Sequence, residues 1–119
     1  MPSNRDYRFD FIELPARSVD ELQACRTFYS ETFGWKFQDW GEDYVDTQDS
    51  GIGGGINADP EHRPSHPLAV IYVPDLERMV EQVRSAKCVI TRDVFAFPSG
   101  RRFHFKDPAG NELAVWSDR

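Results

Sequence analysis

Only two cysteines occur in the 119 residues, Cys25 and Cys88, too few for the disulfide framework of a small secreted scaffold. A reducing compartment is expected, and cytoplasmic localisation follows. No apolar run approaches the roughly 20 residues needed to cross a bilayer, and Met1-Pro2-Ser3-Asn4-Arg5-Asp6 has no apolar stretch behind its charges. No membrane partner is expected. Basic residues are also scarce, 14 Lys and Arg against 20 Asp and Glu for a net charge of −6, which opposes binding to phosphate backbones. Nucleic acid is excluded as a partner class on that ground.

Hydrophobic residues make up 39% of the chain and aromatics 13%, enough for one domain that buries about two-thirds of its unfolded surface. Phe9 to Leu14, ended by Pro15, reads as a strand with Phe9, Phe11 and Glu13 on one face. Val19, Leu22, Cys25, Tyr29 and Phe33 then recur at helical spacing, with Ser18 or Asp20 as the cap and Gly34 as the stop. That spacing puts Cys25 on the apolar face, as an inert buried thiol. Extended stretches follow over Trp35 to Trp40, Tyr44 to Thr47 and Gly51 to Asn57. The order is β-α-β-β-β.

The segment from Ala58 to Pro67 holds three prolines and no apolar periodicity, and so reads as a linker. Leu68 to Val73 then forms a strand, and Asp75 caps a helix with Leu76, Met79, Val80, Val83 and Ala86 on one face. Val89 to Phe97, Arg102 to Lys106 and Glu112 to Ser117 are extended, divided by Pro98-Ser99-Gly100 and Asp107-Pro108-Ala109-Gly110-Asn111. The pattern has repeated. The expectation is a single α+β domain over residues 1–119, with module one at about 7–57, a linker at 58–67 and module two at about 68–118. Two βαβββ modules would form a curved mixed-sheet cup with helices on its outer face.

Phe28-Tyr29 with Phe33-Gly34-Trp35, the cluster Gly51-Ile52-Gly53-Gly54-Gly55-Ile56, and Phe105-Lys106-Asp107-Pro108-Ala109-Gly110-Asn111 occur in that order around the repeat. In these motifs, from Tyr7 to Trp116, the chain resembles the glyoxalase/bleomycin-resistance/dioxygenase (vicinal oxygen chelate) superfamily. The glycine cluster is not a phosphate cradle, because no Lys-Ser/Thr follows and no helix begins there. Close backbone packing in a curved strand is its reading.

The resemblance implies a divalent metal held by one side chain from the first and one from the last strand of each repeat. Those positions fall on Phe9, Leu68, a residue near Gly54, and Ala114, none of which offers a carboxylate or imidazole. No metal and no other cofactor is therefore expected. His66 lies two residues before Leu68 and would restore a ligand if the register were shifted by two, while His62 and His66 are spaced as a helical pair that Pro64 interrupts.

The family's alternation implies a ligand cup lined by Phe9, Phe11, Glu13, Leu68, Val70, Tyr72, Ala114 and Trp116, with His104 facing it opposite Phe105. Glu13 and His104 are its polar residues and the candidates for acid/base catalysis. Three functions fit. The first is a metal-free protein that binds a small aromatic or cationic molecule, as the bleomycin-resistance branch does. The second is an enzyme of lyase, isomerase or dioxygenase type that uses Glu13 and His104 or an unrecognised metal. The third is a dimeric regulatory or assembly module. A homodimer fits all three.

Overall fold

The computed structural model describes residues 5–119. Its elements run β1 (Arg8–Pro15), α1 (Val19–Phe33), β2 (Gln38–Asp39), β3 (Tyr44–Thr47), β4 (Gly53–Asn57), β5 (Leu68–Tyr72), α2 (Leu76–Ser85), β6 (Ile90–Phe97), β7 (Gly100–Lys106) and β8 (Glu112–Ser117). The fold is α+β with β-α-β-β-β occurring twice, as the pattern predicts. By packing, residues 11–68 form one unit, and residues 69–119 form another with the described residues of the N-terminal ten.

In the unit of residues 11–68 the strands lie in the order β2-β3-β4-β1. β1 runs parallel to β4, with Glu13 opposite Gly55 and Leu14 opposite Ile56, and β3 runs antiparallel to β4. Ser18 begins α1 by accepting the Glu21 N–H at 3.1 Å, while the Glu21 carboxylate accepts the Arg17 N–H at 3.0 Å, a reciprocal cap worth about 1 kcal/mol. Gly34 ends the helix in the left-handed region at φ 76°. Leu22, Val45, Ile56, Ala16 and Ala58 form the core beneath α1.

The expected buried stripe of α1 is narrower than its spacing suggests. Leu22 is fully buried and Cys25 and Tyr29 pack against the core, but Val19 is 38% and Phe33 58% exposed. They lie at the helix ends, where the face turns away from the sheet. The strand expected over Trp35–Trp40 shrinks to Gln38–Asp39. Trp35 stacks on Tyr29 with centroids 4.9 Å apart, its carbonyl accepts the Ser30 hydroxyl at 2.8 Å, and the Lys36 N–H goes to Asp49. Side chains take the bonds that a strand ladder would have used.

The segment between the modules is ordered by two side chains. Asp59 Oδ1 accepts the Glu61 N–H, and Oδ2 lies 2.6 Å from His62 Nδ1. Arg63 Nη1 donates to the carbonyls of Ala16, Arg17 and Ala58.

In the other unit the order is β5-β8-β7-β6, again with one parallel pair, β5 with β8. Asp75 caps α2 by accepting the Arg78 N–H at 3.1 Å. Val73, Leu76, Phe103 and Val115 form the core, joined by Ile71, Met79, Val80, Val83, Ile90 and Phe105. Ala86, expected on this apolar face, is the exposed C-cap. Gly100 is required by close approach, since a Cβ there would strike the backbone carbonyl of Ser117. At the β7–β8 turn the Asp107 carboxylate accepts the N–H groups of Ala109 and Asn111 and the Asn111 side-chain amide.

Candidate functional site

Each strand has one face under its helix and one face away from it, because side chains alternate. In residues 11–68, Leu14, Val45 and Ile56 point to α1, so Phe11, Glu13, Tyr44, Asp46 and Gly55 lie on the helix-free face. Glu13 is 3% exposed. A Cβ at Gly55 would meet the Tyr44 hydroxyl and would lie 2.9 Å from the Phe11 ring. These aromatic groups therefore lie directly over the glycine backbone, and close packing explains the glycine run. Behind the sheet, an apolar cavity of about 130 Å³ is lined by Ile12, Leu14, Tyr29, Trp35, Phe37 and Ile56 among others.

In residues 69–119, Ile71, Phe103, Phe105 and Val115 pack toward α2. Val70, Tyr72, Arg102, His104, Ala114 and Trp116 take the opposite face, with Val70 opposite Ala114, His104 opposite Ala114 and Arg102 opposite Trp116. His104 is 5% and Arg102 8% exposed. His104 Nδ1 lies 3.7 Å from Glu112 Oε2, which also accepts the Thr91 hydroxyl at 2.7 Å. Burial, reinforced by Arg102 and Arg92, lowers the His104 pKa from 6.5 to about 4 against the opposing pull of Glu112. The imidazole is neutral at pH 7.

Tyr72 and Trp116 have their polar ends engaged at one end of this face. The Tyr72 hydroxyl donates to Asp118 at 2.7 Å, and Trp116 Nε1 donates to Asp10 at 3.0 Å. The guanidinium carbon of Arg5 sits 3.8 Å above the Tyr72 ring, and Arg5 pairs with Asp118 at 2.6 Å. The bond to Asp118 raises the Tyr72 pKa, while desolvation raises that of Asp10.

The expected lining residues divide accordingly. Phe11 and Glu13 share one module's helix-free face, whereas Val70, Tyr72, His104, Ala114 and Trp116 share the other's. Leu68 is fully buried, and Phe9 is 53% exposed. Arg92, Arg102 and Glu112 escaped the sequence reading. Arg102 had a signal, since it stands two residues from His104 on the same strand; Arg92 depends on the β6–β7 register, which shifts on both sides of it.

The sequence matches the Glyoxalase/Bleomycin resistance protein/Dioxygenase superfamily over residues 9–115. The chain belongs to this superfamily. No curated protein matches it. Among solved structures, a protein titled NAD-dependent benzaldehyde dehydrogenase from Legionella pneumophila is similar at TM-score 0.73 and 12% identity, over 90% of this chain and 96% of that one. The Mn(II)-bound glyoxalase from Novosphingobium aromaticivorans gives 0.67 and 16%, over 96% of this chain and 40% of that one. Methylmalonyl-CoA epimerase from Mycobacterium tuberculosis gives 0.64 and 13%, over 98% and 92%. At these identities the likeness is one of fold.

The superfamily's metal positions can be aligned through the helix caps. Leu68 stands seven residues before the cap Asp75, and the residue seven before the cap Ser18 is Phe11, not Phe9. The Ala16 N–H bonds to Asn57 and the Val73 N–H to Trp116, each at 2.9 Å, which makes Gly55 the counterpart of Ala114. The side chains of Phe11, Gly55, Leu68 and Ala114 offer no donor atom to a cation, and the superfamily's divalent metal, held by side chains, does not fit them. His66, the possible substitute, lies in an exposed bend before β5. Among the described residues no group of three or more His, Cys, Asp or Glu is placed to hold a metal ion, and no helix is long and apolar enough to cross a membrane.

Proposed function

We propose that this member of the superfamily binds a small molecule against its helix-free sheet faces and does so without the superfamily's usual divalent metal. The observation that carries the reading is the burial of charged and titratable side chains on faces that no helix covers, Glu13 in one module and Arg102 and His104 in the other. Even paired, such groups are costly to bury, and apolar residues would have closed a purely structural face more cheaply. Aromatic rings surround them: Phe11 and Tyr44 beside Gly55, and Phe95, Phe97 and Trp116 beside Arg102 and His104. The apolar metal positions leave recognition to these groups.

The test combines elemental analysis of the purified protein with a thermal-shift screen of small molecules, and hits are mapped by amide chemical shifts. A ligand at about 100 times its Kd should add about 2.7 kcal/mol of stability, with a chelator making no difference and the shifts confined to the helix-free faces. Stoichiometric zinc, nickel, iron or manganese, or stabilisation that a chelator abolishes, would overturn the metal-free reading. Hits that map only elsewhere would overturn the site.

A further inference from the structure

His104 holds a buried nitrogen that no described residue bonds. Its Nε2 is shielded from solvent and has no hydrogen-bond partner among the described residues, and 5% exposure places the residue well inside the protein. The Glu112 carboxylate, anchored by Thr91 and 3.7 Å from Nδ1, favours the tautomer with its hydrogen on Nδ1. Nε2 then keeps its lone pair and can only accept. An unsatisfied buried acceptor is costly, so an O–H or N–H from a bound molecule would recover what the fold leaves unmade.

The surroundings limit what can bring that hydrogen. The Arg92 guanidinium lies 4.0 Å above the Phe95 ring, and that of Arg102 lies 5.2 and 5.8 Å from the rings of Phe95 and Phe97. Phe95 in turn is 5.8 Å from the His104 ring, and Phe97 is 6.0 Å from Trp116. The Arg92 cation, on the same face opposite His104, repels a metal ion or an ammonium group and attracts an anion, while the rings provide flat apolar surface. We propose that this face takes an aromatic anion bearing a hydrogen-bond donor, with His104 Nε2 accepting the hydrogen and Arg92 attracting the anionic group. The proposal rests on the reading that the helix-free faces bind small molecules, and it fixes the ligand class for module two.

Three probes separate the parts: 4-hydroxybenzoate, 4-methoxybenzoate, which lacks the donor, and 4-hydroxybenzamide, which lacks the charge. Calorimetry should find 4-hydroxybenzoate bound at least about tenfold more tightly than either of the others. His104→Phe should remove the preference for hydroxyl over methoxy and keep the preference for carboxylate over amide. His104→Gln, which restores an acceptor, should recover part of the first, and Arg92→Gln should weaken the second. Circular dichroism checks that each variant is folded. Equal affinity for the three probes, no binding by any up to about 10 mM, or an unchanged hydroxyl preference in folded His104→Phe would overturn the proposal. If a neutral or cationic hit from the screen moves amides of this face while the benzoates do not bind, the ligand class fails and the binding reading stands.

Discussion

At matching strand positions one module carries Glu13, Asp46 and Gly55, and the other carries Val70, His104 and Ala114. The pairings and caps repeat, but the chemistry differs: one helix-free face carries Glu13 and Asp46, whereas the other gathers Arg92, Arg102 and His104 around Glu112. A net charge of −6 conceals this division. The backbone repeat fixes where side chains stand, and each module's residues then decide what they attract.

Acid should separate the modules most strongly. Unfolded, His104 takes a proton near 6.5; folded, it does so only near about 4. The unfolded chain thus binds more protons in that window, and stability falls as pH drops through it. At about 1.36 kcal/mol per pKa unit, roughly 3 kcal/mol is at stake. Urea unfolding at pH 7 and pH 4.5, still above the folded value, should find His104→Phe losing less stability than the parent by about 2 kcal/mol. Equal losses would mean the imidazole titrates normally and the contrast between the faces is weaker than drawn.

A smaller effect is expected from making module one resemble module two at the glycine. Gly55→Ala forces a methyl against the Tyr44 hydroxyl and the Phe11 ring and should cost about 1–3 kcal/mol. The mirror change, Ala114→Gly, should cost about 1 kcal/mol or less. Denaturant midpoints decide, and a neutral Gly55→Ala would show that the rings above the glycine yield.

The smallest effects lie at the helix ends. α1 stops on Gly34 at φ 76°, but α2 is followed by Lys87 at φ 64°, a conformation that costs a side-chain-bearing residue about 1 kcal/mol. Gly34→Ala should lower stability by about 1 kcal/mol, and Lys87→Gly should raise it by up to about 1 kcal/mol, both read from thermal midpoints. The same sign for the two changes would contradict the difference in helix termination.

Much of this architecture was legible because it is local. Ser18, Gly34 and Asp75 mark helix ends through their own hydrogen bonds or backbone freedom, and turn residues border Tyr44–Thr47 and Glu112–Ser117, so the expected bounds of those strands match. What depends on distant partners was harder to read. The Trp35 ring is drawn onto Tyr29 instead of extending a strand, and Arg63 orders the intermodule segment through carbonyls up to 47 residues away. At the site, alternation identified the face of His104 but not its neighbour Glu112, because strand register rather than spacing brings that carboxylate close.

The Asp107 turn has a consequence for the order in which module two assembles. Its carboxylate closes a loop of only a few residues and aligns β7 with β8, an event on the microsecond scale typical of hairpins. The parallel edge between Val70 and Ala114 encloses about 40 residues, and loop closure there costs roughly 2 kcal/mol more than for a loop of about five. The hairpin carrying His104 and Glu112 should therefore form first and act as the template on which β5 docks, with the Val73 N–H closing onto Trp116 as one of the last bonds made.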